Sequence, residues 1–357
     1  MTEVPRWHPS WSVSPGEVLV EALEERDMTQ AELARRMARP LKTISEIATG
    51  KASITAETAI QLERAIGISA ATWLGLESRY REAQARERDL ADLEAQVGWL
   101  HEFPVPQLIT RGIIDRAPAP KQAAQLLAFF GVSNPTGWEQ HWGRMAASYR
   151  MSERIPASRY SVAVWLRAAE REVGDSQLPA YQPAGLRALI PKLRSLVRAL
   201  VVASAIDRAK DLLGSVGVGL VLTEGITGAP ASGAVRWIRR NPWIVLTLRH
   251  RTEDQLWFSL FHEIGHLLEG GRRRDVVEEA EGDELVRPDE EQANQFARET
   301  LLPQAALDAW LGDGHLDRQS ISDFAASQGV STGIVVGRLQ RDGRVEKSAF
   351  NELKQRL

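Results

Sequence analysis

A mainly helical α+β chain is predicted: a bundle of short helices, a helical middle, then a domain built on a small β-sheet. Three observations carry that prediction. Apolar residues recur at three- and four-residue spacing through most of the first 213 residues. Three short strand-like runs, bounded by Gly or Pro, follow within residues 216–248. Directly after them the apolar stretch Leu256-Trp257-Phe258-Ser259-Leu260-Phe261 continues through His262-Glu263-Ile264-Gly265-His266 into Leu267-Leu268. With 357 residues, 43% hydrophobic and 25% charged, the chain is long enough for two or three core-forming domains. The expected boundaries are 1–76, 77–213, 214–305 and 306–357.

Composition narrows the function classes. No run reaches the roughly 18 uninterrupted apolar residues that span a bilayer, and Met1-Thr2-Glu3-Val4-Pro5 has no signal-peptide layout, so a cytoplasmic protein without a membrane partner is expected. The cysteine count of zero excludes thiolate metal sites, disulfides and cysteine nucleophiles. Any metal must therefore be held by His, Asp or Glu. A net charge of −3 gives no global nucleic-acid signature, so DNA binding has to be argued locally.

From Pro15 to about Leu76 the apolar positions Val18, Leu19, Leu23, Leu33, Met37, Ile44, Ile47, Ala59, Leu62 and Ile66 describe a compact helical bundle. Thr29 and Glu32 have the spacing of a capping box and should start a helix running through Met37. Pro40 forbids its continuation, and a second short helix from about Leu41 to Thr49 is stopped by Gly50. Two helices joined by a three- or four-residue turn make a helix-turn-helix. Arg35, Arg36, Arg39, Lys42 and Lys51 gather around its second helix, with Glu46 among them.

Residues 77–102 are rich in Arg, Glu, Ala and Leu and read as one long solvated helix or connector. Further helices, broken by turns at Pro118, Pro120, Pro135 and Pro183, run to about Leu213, with Trp138, Trp142 and Trp165 at core positions. Val216–Leu222, Ser232–Ile238 and Trp243–Leu248 are the three strands. An exposed edge of such a sheet can hold an extended peptide by strand addition; a closed sheet that only supports the next helix is the other reading.

On that helix, residues four apart share a face, so His262 and His266 can offer both imidazoles to one metal ion with Glu263 beside it. Two unpartnered imidazoles in an apolar helix would be costly, and a metal satisfies both. Catalytic zinc keeps three protein ligands and an open position, so a third ligand must come from elsewhere. The acidic stretch Glu278–Glu284 is aperiodic and Gly-containing. A better source is Asp289-Glu290-Glu291-Gln292-Ala293-Asn294-Gln295-Phe296-Ala297, which passes into an amphipathic helix. There Glu290 and Asn294 share a face with Ala293 and Ala297, whose small side chains permit close helix approach. Glu290 is the expected zinc ligand, Asn294 the residue that orients a ligand, and Glu291, about 100 degrees round, the weaker candidate. Zinc (Zn2+) would bring the pKa of a bound water from about 15.7 towards neutrality, and Glu263 would carry the proton to the leaving amine. His250, Arg249 and Arg236 are candidates for stabilising an oxyanion.

Two resemblances follow. Met28-Thr29-Gln30-Ala31-Glu32-Leu33-Ala34 with Thr43-Ile44-Ser45-Glu46-Ile47 and Gly50-Lys51 resembles the xenobiotic-response-element type of helix-turn-helix, in its HigA antitoxin branch. The resemblance implies that Gln30 reaches a phosphate and that Leu41, Lys42, Thr43 and Ser45 face the major groove of operator DNA. Pro40 and Leu41 depart from the polar residues usual there. It also implies a homodimer on palindromic sites. The pentad, followed by Glu290-x-x-Ala293-Asn294-x-Phe296-Ala297 and Leu301-Leu302-Pro303, resembles the ImmA/IrrE family of zinc metallopeptidases. That implies a zincin-like domain and cleavage of a partner repressor or antitoxin. The expected function is a DNA-binding regulator with a zinc endopeptidase; the alternative is a non-proteolytic antitoxin or repressor whose peptidase-like domain senses a ligand or binds a toxin. The tail, Ile321–Leu339, has helix-turn-helix spacing without a clear basic face and is expected to serve in packing.

Overall fold

A computed structural model describes residues 13–148, 158–248, 252–269, 288–312 and 316–357. The chain forms two compact units, one of residues 1–98 with 117–124, the other of 99–116 with 125–357.

In the first unit, α1 (Pro15–Glu24), α2 (Gln30–Arg36), α3 (Leu41–Ala48), α4 (Ala56–Ile66) and the long α5 (Ala70–Glu94) surround Leu19, Leu33, Ile44, Leu62 and Trp73, all fully buried. Thr29 caps α2 by accepting the Glu32 amide at 3.1 Å. Only half of the expected box is formed, because the Glu32 carboxylate turns instead to Arg36, one helical turn on. Four residues, Met37 to Pro40, join α2 to α3, and Gly50, at φ +71°, ends the motif in the left-handed region. A Cβ on Gly16 would sit 2.4 Å from the Ala48 carbonyl oxygen, so glycine is what lets α1 lie against the end of α3. The long helix begins earlier than composition suggests, at Ala70, because buried Trp73 anchors it in this core; it ends at Glu94.

Short helices follow: α6 (Val97–His101), α7 (Val105–Thr110), α8 (Ala119–Phe130), α9 (Pro135–Trp138) and α10 (Arg144–Ser148). Then come α11 (Arg159–Val173), α12 (Pro183–Ser195) and α13 (Val202–Ser215). Strands β1 (Gly219–Thr223), β2 (Gly233–Ile238) and β3 (Asn241–Thr247) form a sheet of order β1-β3-β2. β1 and β3 run parallel, whereas β2 and β3 form an antiparallel hairpin turning at Arg239, which sits at φ +60°. The tryptophans at core positions are buried as their size demands: the Trp142 indole donates to the Phe130 carbonyl, and that of Trp165 to the Thr223 hydroxyl.

The sheet supports α14 (Glu253–Glu269), against which α15 (Pro288–Leu301) packs. The approach is close because the facing residues are small: a Cβ on Gly265 would lie 3.1 Å from the Ala293 Cα, and Ala293 and Ala297 are fully buried. α12 fastens the ends of both helices. Tyr181, just before it, donates to the Leu267 carbonyl and Arg187 to that of Leu268, while Arg194 donates to the Thr300 carbonyl at 2.7 Å. These are carbonyls at or near helix ends, where backbone acceptors lack partners and positive charge is favoured. The chain closes with α16 (Gln304–Leu311), α17 (Arg318–Gln328) and α18 (Thr332–Arg341), and Ile321, Val335, Val336 and Leu339 join the core of α14. Gly333 and Gly337 of α18 lie against the Glu253 and Asp254 carboxylates, leaving no room for a Cβ. None of the described helices is long and apolar enough to cross a membrane.

Ala293→Leu should wedge α14 from α15 and destabilise the second unit by about 1–3 kcal/mol, the usual cost of overpacking a filled core. A fall in the urea midpoint, followed through the buried tryptophans, is the expected result.

Candidate metal centre and nucleic-acid interface

One turn of α14 separates His262 from His266, and both imidazoles turn towards α15. Their Nε2 atoms stand 3.1 Å apart, with the rings nearly perpendicular at 88°. Glu290, in the first turn of α15, brings Oε2 to 3.3 Å from His262 Nε2 and Oε1 to 3.6 Å from His266 Nε2. A tetrahedral ion bonded at ~2.0–2.1 Å holds its donors about 3.3 Å apart, so three neutral-or-anionic donors at this spacing fit zinc. These residues form a possible metal-holding group among the described residues. Glu290 is 47% exposed and the two histidines 16% and 22%, which leaves one side of the cluster open to solvent.

Neighbouring residues separate the candidates. Glu291 faces elsewhere and pairs with Arg298. Asn294, one turn beyond Glu290, hydrogen-bonds His262. Burial pushes the His262 pKa down, but the hydrogen bond its ring donates to the Glu290 carboxylate and the charges of Glu263 and Glu290 outweigh it, and the net direction is up. Glu263 is buried at 6% exposure. Its carboxylate lies against the first residue of β2, where a Cβ on Gly233 would come within 2.6 Å of Oε1.

Arg236 is no oxyanion donor: it is buried on the opposite face of the sheet, donating to the Leu166 carbonyl at 3.2 Å and the Glu170 carboxylate at 3.0 Å. Arg249, His250 and the stretch Glu278–Glu284 lie outside the described residues. Sequence reasoning passed over Gly233 and Phe258. A glycine inside a strand marks close approach and could have flagged the first. Phe258 stacks on His262 at 6.2 Å but looks like any core aromatic in the sequence.

In the first unit, Gln30 opens α2 half-buried, and Leu41, Lys42 and Ser45 project from α3 into solvent with Thr43 half-buried beside them. Leu41 is 50% exposed. Lys42 lies 3.8 Å from Glu46. Arg39 is held within the fold by Gln61, which accepts from its Nε at 2.9 Å.

Fold and site together define a helix-turn-helix protein joined to a metallopeptidase-type domain. Residues 219–340 match the model of the IrrE N-terminal-like domain, Peptidase M78, and residues 19–73 match the helix-turn-helix model. The HTH-type transcriptional regulator YddM of Escherichia coli (strain K12) is 38% identical over 73 residues, 20% of this chain and 78% of that protein. An addiction module antidote protein of the HigA family from Coxiella burnetii is 33% identical, covering 23% of this chain and 91% of its own, with a TM-score of 0.22. The Pseudomonas aeruginosa antitoxin HigA, solved with the higBA promoter, is 34% identical over 24% of this chain and 94% of its own, with a TM-score of 0.23. The chain belongs to the XRE-type helix-turn-helix regulators and carries an ImmA/IrrE-type Peptidase M78 domain.

Protein purified without added metal should contain about one zinc per chain, lost in His262→Ala and in Glu290→Ala, as elemental analysis would show. Because the His262 pKa is raised, a bound proton competes with metal to a higher pH than at an ordinary histidine. Chelator competition should show zinc affinity climbing as pH rises through and above about 6.5. In the metal-free protein the same shift contributes stability that is complete below the unfolded pKa and lost as pH rises through the folded one.

Proposed function

We propose that this chain is a cytoplasmic transcription regulator whose zinc-dependent endopeptidase domain cleaves a partner repressor or antitoxin. The observation that carries the proposal is the convergence of His262, His266 and Glu290 with buried Glu263 set between them and the start of β2. Bound zinc would supply Lewis-acid polarisation of the scissile carbonyl and acidify the attacking water. Every other part belongs to the chain. Glu263 accepts the water's proton and delivers it to the leaving amine, a role favoured by its burial next to the cluster. Among the described residues β2 pairs on one edge only, with β3. Its other edge can receive the substrate backbone as an added strand, which binds main chain rather than sequence. Gly233 then keeps the Glu263 carboxylate close to that strand, and Asn294 steadies His262.

The amino-terminal unit would dock α3 in the major groove of operator DNA, with Leu41, Lys42, Thr43 and Ser45 towards the bases and Gln30 on a phosphate. Arg39, tied to Gln61, would contribute charge from the flank. A homodimer would match a palindromic operator. Sequence-specific binding and proteolysis would thus reside in one polypeptide.

Glu263→Gln should retain zinc and lose about 10²–10⁴-fold in peptide hydrolysis. Gly233→Ala should also keep the metal yet reduce turnover by up to about 100-fold, because displacing the carboxylate misplaces the proton acceptor. A wild-type protein that holds zinc but cleaves no peptide would favour the non-proteolytic repressor or antitoxin reading. For the first unit, affinity for an operator fragment should fall steeply as salt rises, and Lys42→Ala should cost about 1–3 kcal/mol of operator binding and relax specificity at the base it faces.

A further inference from the structure

Two turns before the metal histidines, a small cavity opens between α14, α15 and α18. It is lined by Asp254 and Phe258 of α14, Arg298 of α15, and Arg338 and Arg341 of α18, with apolar walls from Leu301 and Ile334. The charges around it balance except for one. Arg298 pairs with Glu291, Arg338 with Asp342 at 2.7 Å, and Asp254 with Lys354 at 2.7 Å. For Arg341 no described carboxylate lies within ion-pair distance; its guanidinium sits instead 3.6 Å over the Phe258 ring. Desolvation of the guanidinium, and next the charge of Arg298, push the Arg341 pKa down against the opposing pull of Asp254 and Asp342, so its charge is only partly compensated and an incoming anion would be welcome.

Position shows what that anion would belong to. Asp254, Phe258 and His262 are spaced by four and share one face of α14, the face that carries the metal histidines. Phe258 touches both ends: the His262 ring is stacked 6.2 Å from it and Arg341 lies 3.6 Å from its centroid. Those two steps put the guanidinium at most about 10 Å from the His262 ring, the span of about three residues of extended chain at ~3.3 Å each. The cavity itself is about 30 Å³, room for a carboxylate tip and far too small for a nucleotide or comparable metabolite.

We infer that Arg341, backed by Arg298 and Phe258, forms a substrate subsite that selects an aspartate or glutamate side chain within about three residues of the scissile bond. The inference rests on the peptidase reading above and gives the substrate a chemistry: an acidic residue at fixed distance from an otherwise backbone-read cleavage point. Arg341 acts on specificity and touches no reacting atom.

The test separates the two claims. Zinc-loaded full-length Glu263→Gln protein is incubated with a random decapeptide library, and the retained peptides are sequenced by mass spectrometry, beside the Glu263→Gln/Arg341→Gln double variant. Retained peptides should be enriched about fivefold in an acidic residue, the enrichment vanishing in the double variant and returning in part with Arg341→Lys. Retention without acidic preference, an undiminished preference after Arg341→Gln, or no retention at all overturns the subsite. Wild-type protein is run on the same library for cleavage. Acid-dependent retention with no cleavage by wild type would sink the proteolytic function and leave the subsite standing as a peptide-binding pocket. Cleavage with an acid at fixed distance, lost in Arg341→Gln, supports both.

Discussion

The close packing of α14 on α15 is the constraint from which the site follows. Gly265 removes the side chain that would hold the helices apart, and Ala293 and Ala297 do the same from the other side. At that separation a carboxylate from one helix reaches imidazoles on the other; with larger residues in the contact, Glu290 would stand outside ligand distance of His262 and His266. The same contact buries apolar surface on both helices, so folding energy and site geometry come from one interface. The helix-end carbonyls are then tied by Tyr181, Arg187 and Arg194, which resists sliding of either helix along the other.

Around this pair the surroundings divide by polarity. The sheet approaches Glu263 through a glycine, so the carboxylate is buried against backbone rather than against a side chain. Arg236, on the same strand, has the opposite parity and is spent on the packing of α11, where Glu170 neutralises it. On the far side α18 meets the acidic first turn of α14 through Gly333 and Gly337, and Lys354 compensates Asp254. Burial, joined by the charge of Asp254, raises the pKa of Glu253 beyond what its hydrogen bonds to backbone and Ser331 can offset. The residues with helix-turn-helix spacing in the tail thus serve the peptidase-type domain as a wall, and the cations of α18 line a recess beside α14.

The first unit obeys a simpler logic. Caps and a left-handed glycine set the turns, Leu33, Ile44 and Leu62 fill the centre, and the outward face of α3 is left to residues with little to do inside the fold. The half-formed capping box shows where a local rule yields, to the competing charge of Arg36.

By itself the sequence determined the helix-turn-helix, through Thr29, Pro40 and Gly50, because caps and breakers act over four or five neighbouring residues. It also determined the pairing of His262 with His266, because helical periodicity is local, and the preference for Glu290 over Glu291, because a 100-degree step decides which face meets a neighbour. The three strands were legible as apolar, β-branched runs, but not their order, β1-β3-β2, which depends on pairings between distant segments. Only the tertiary structure decided that Arg236 is a packing residue, that Gly233 abuts Glu263 and that Arg341 faces α14 through Phe258. Each of those facts joins residues tens of positions apart, and a chain read along its length carries no distance between them until the core is packed.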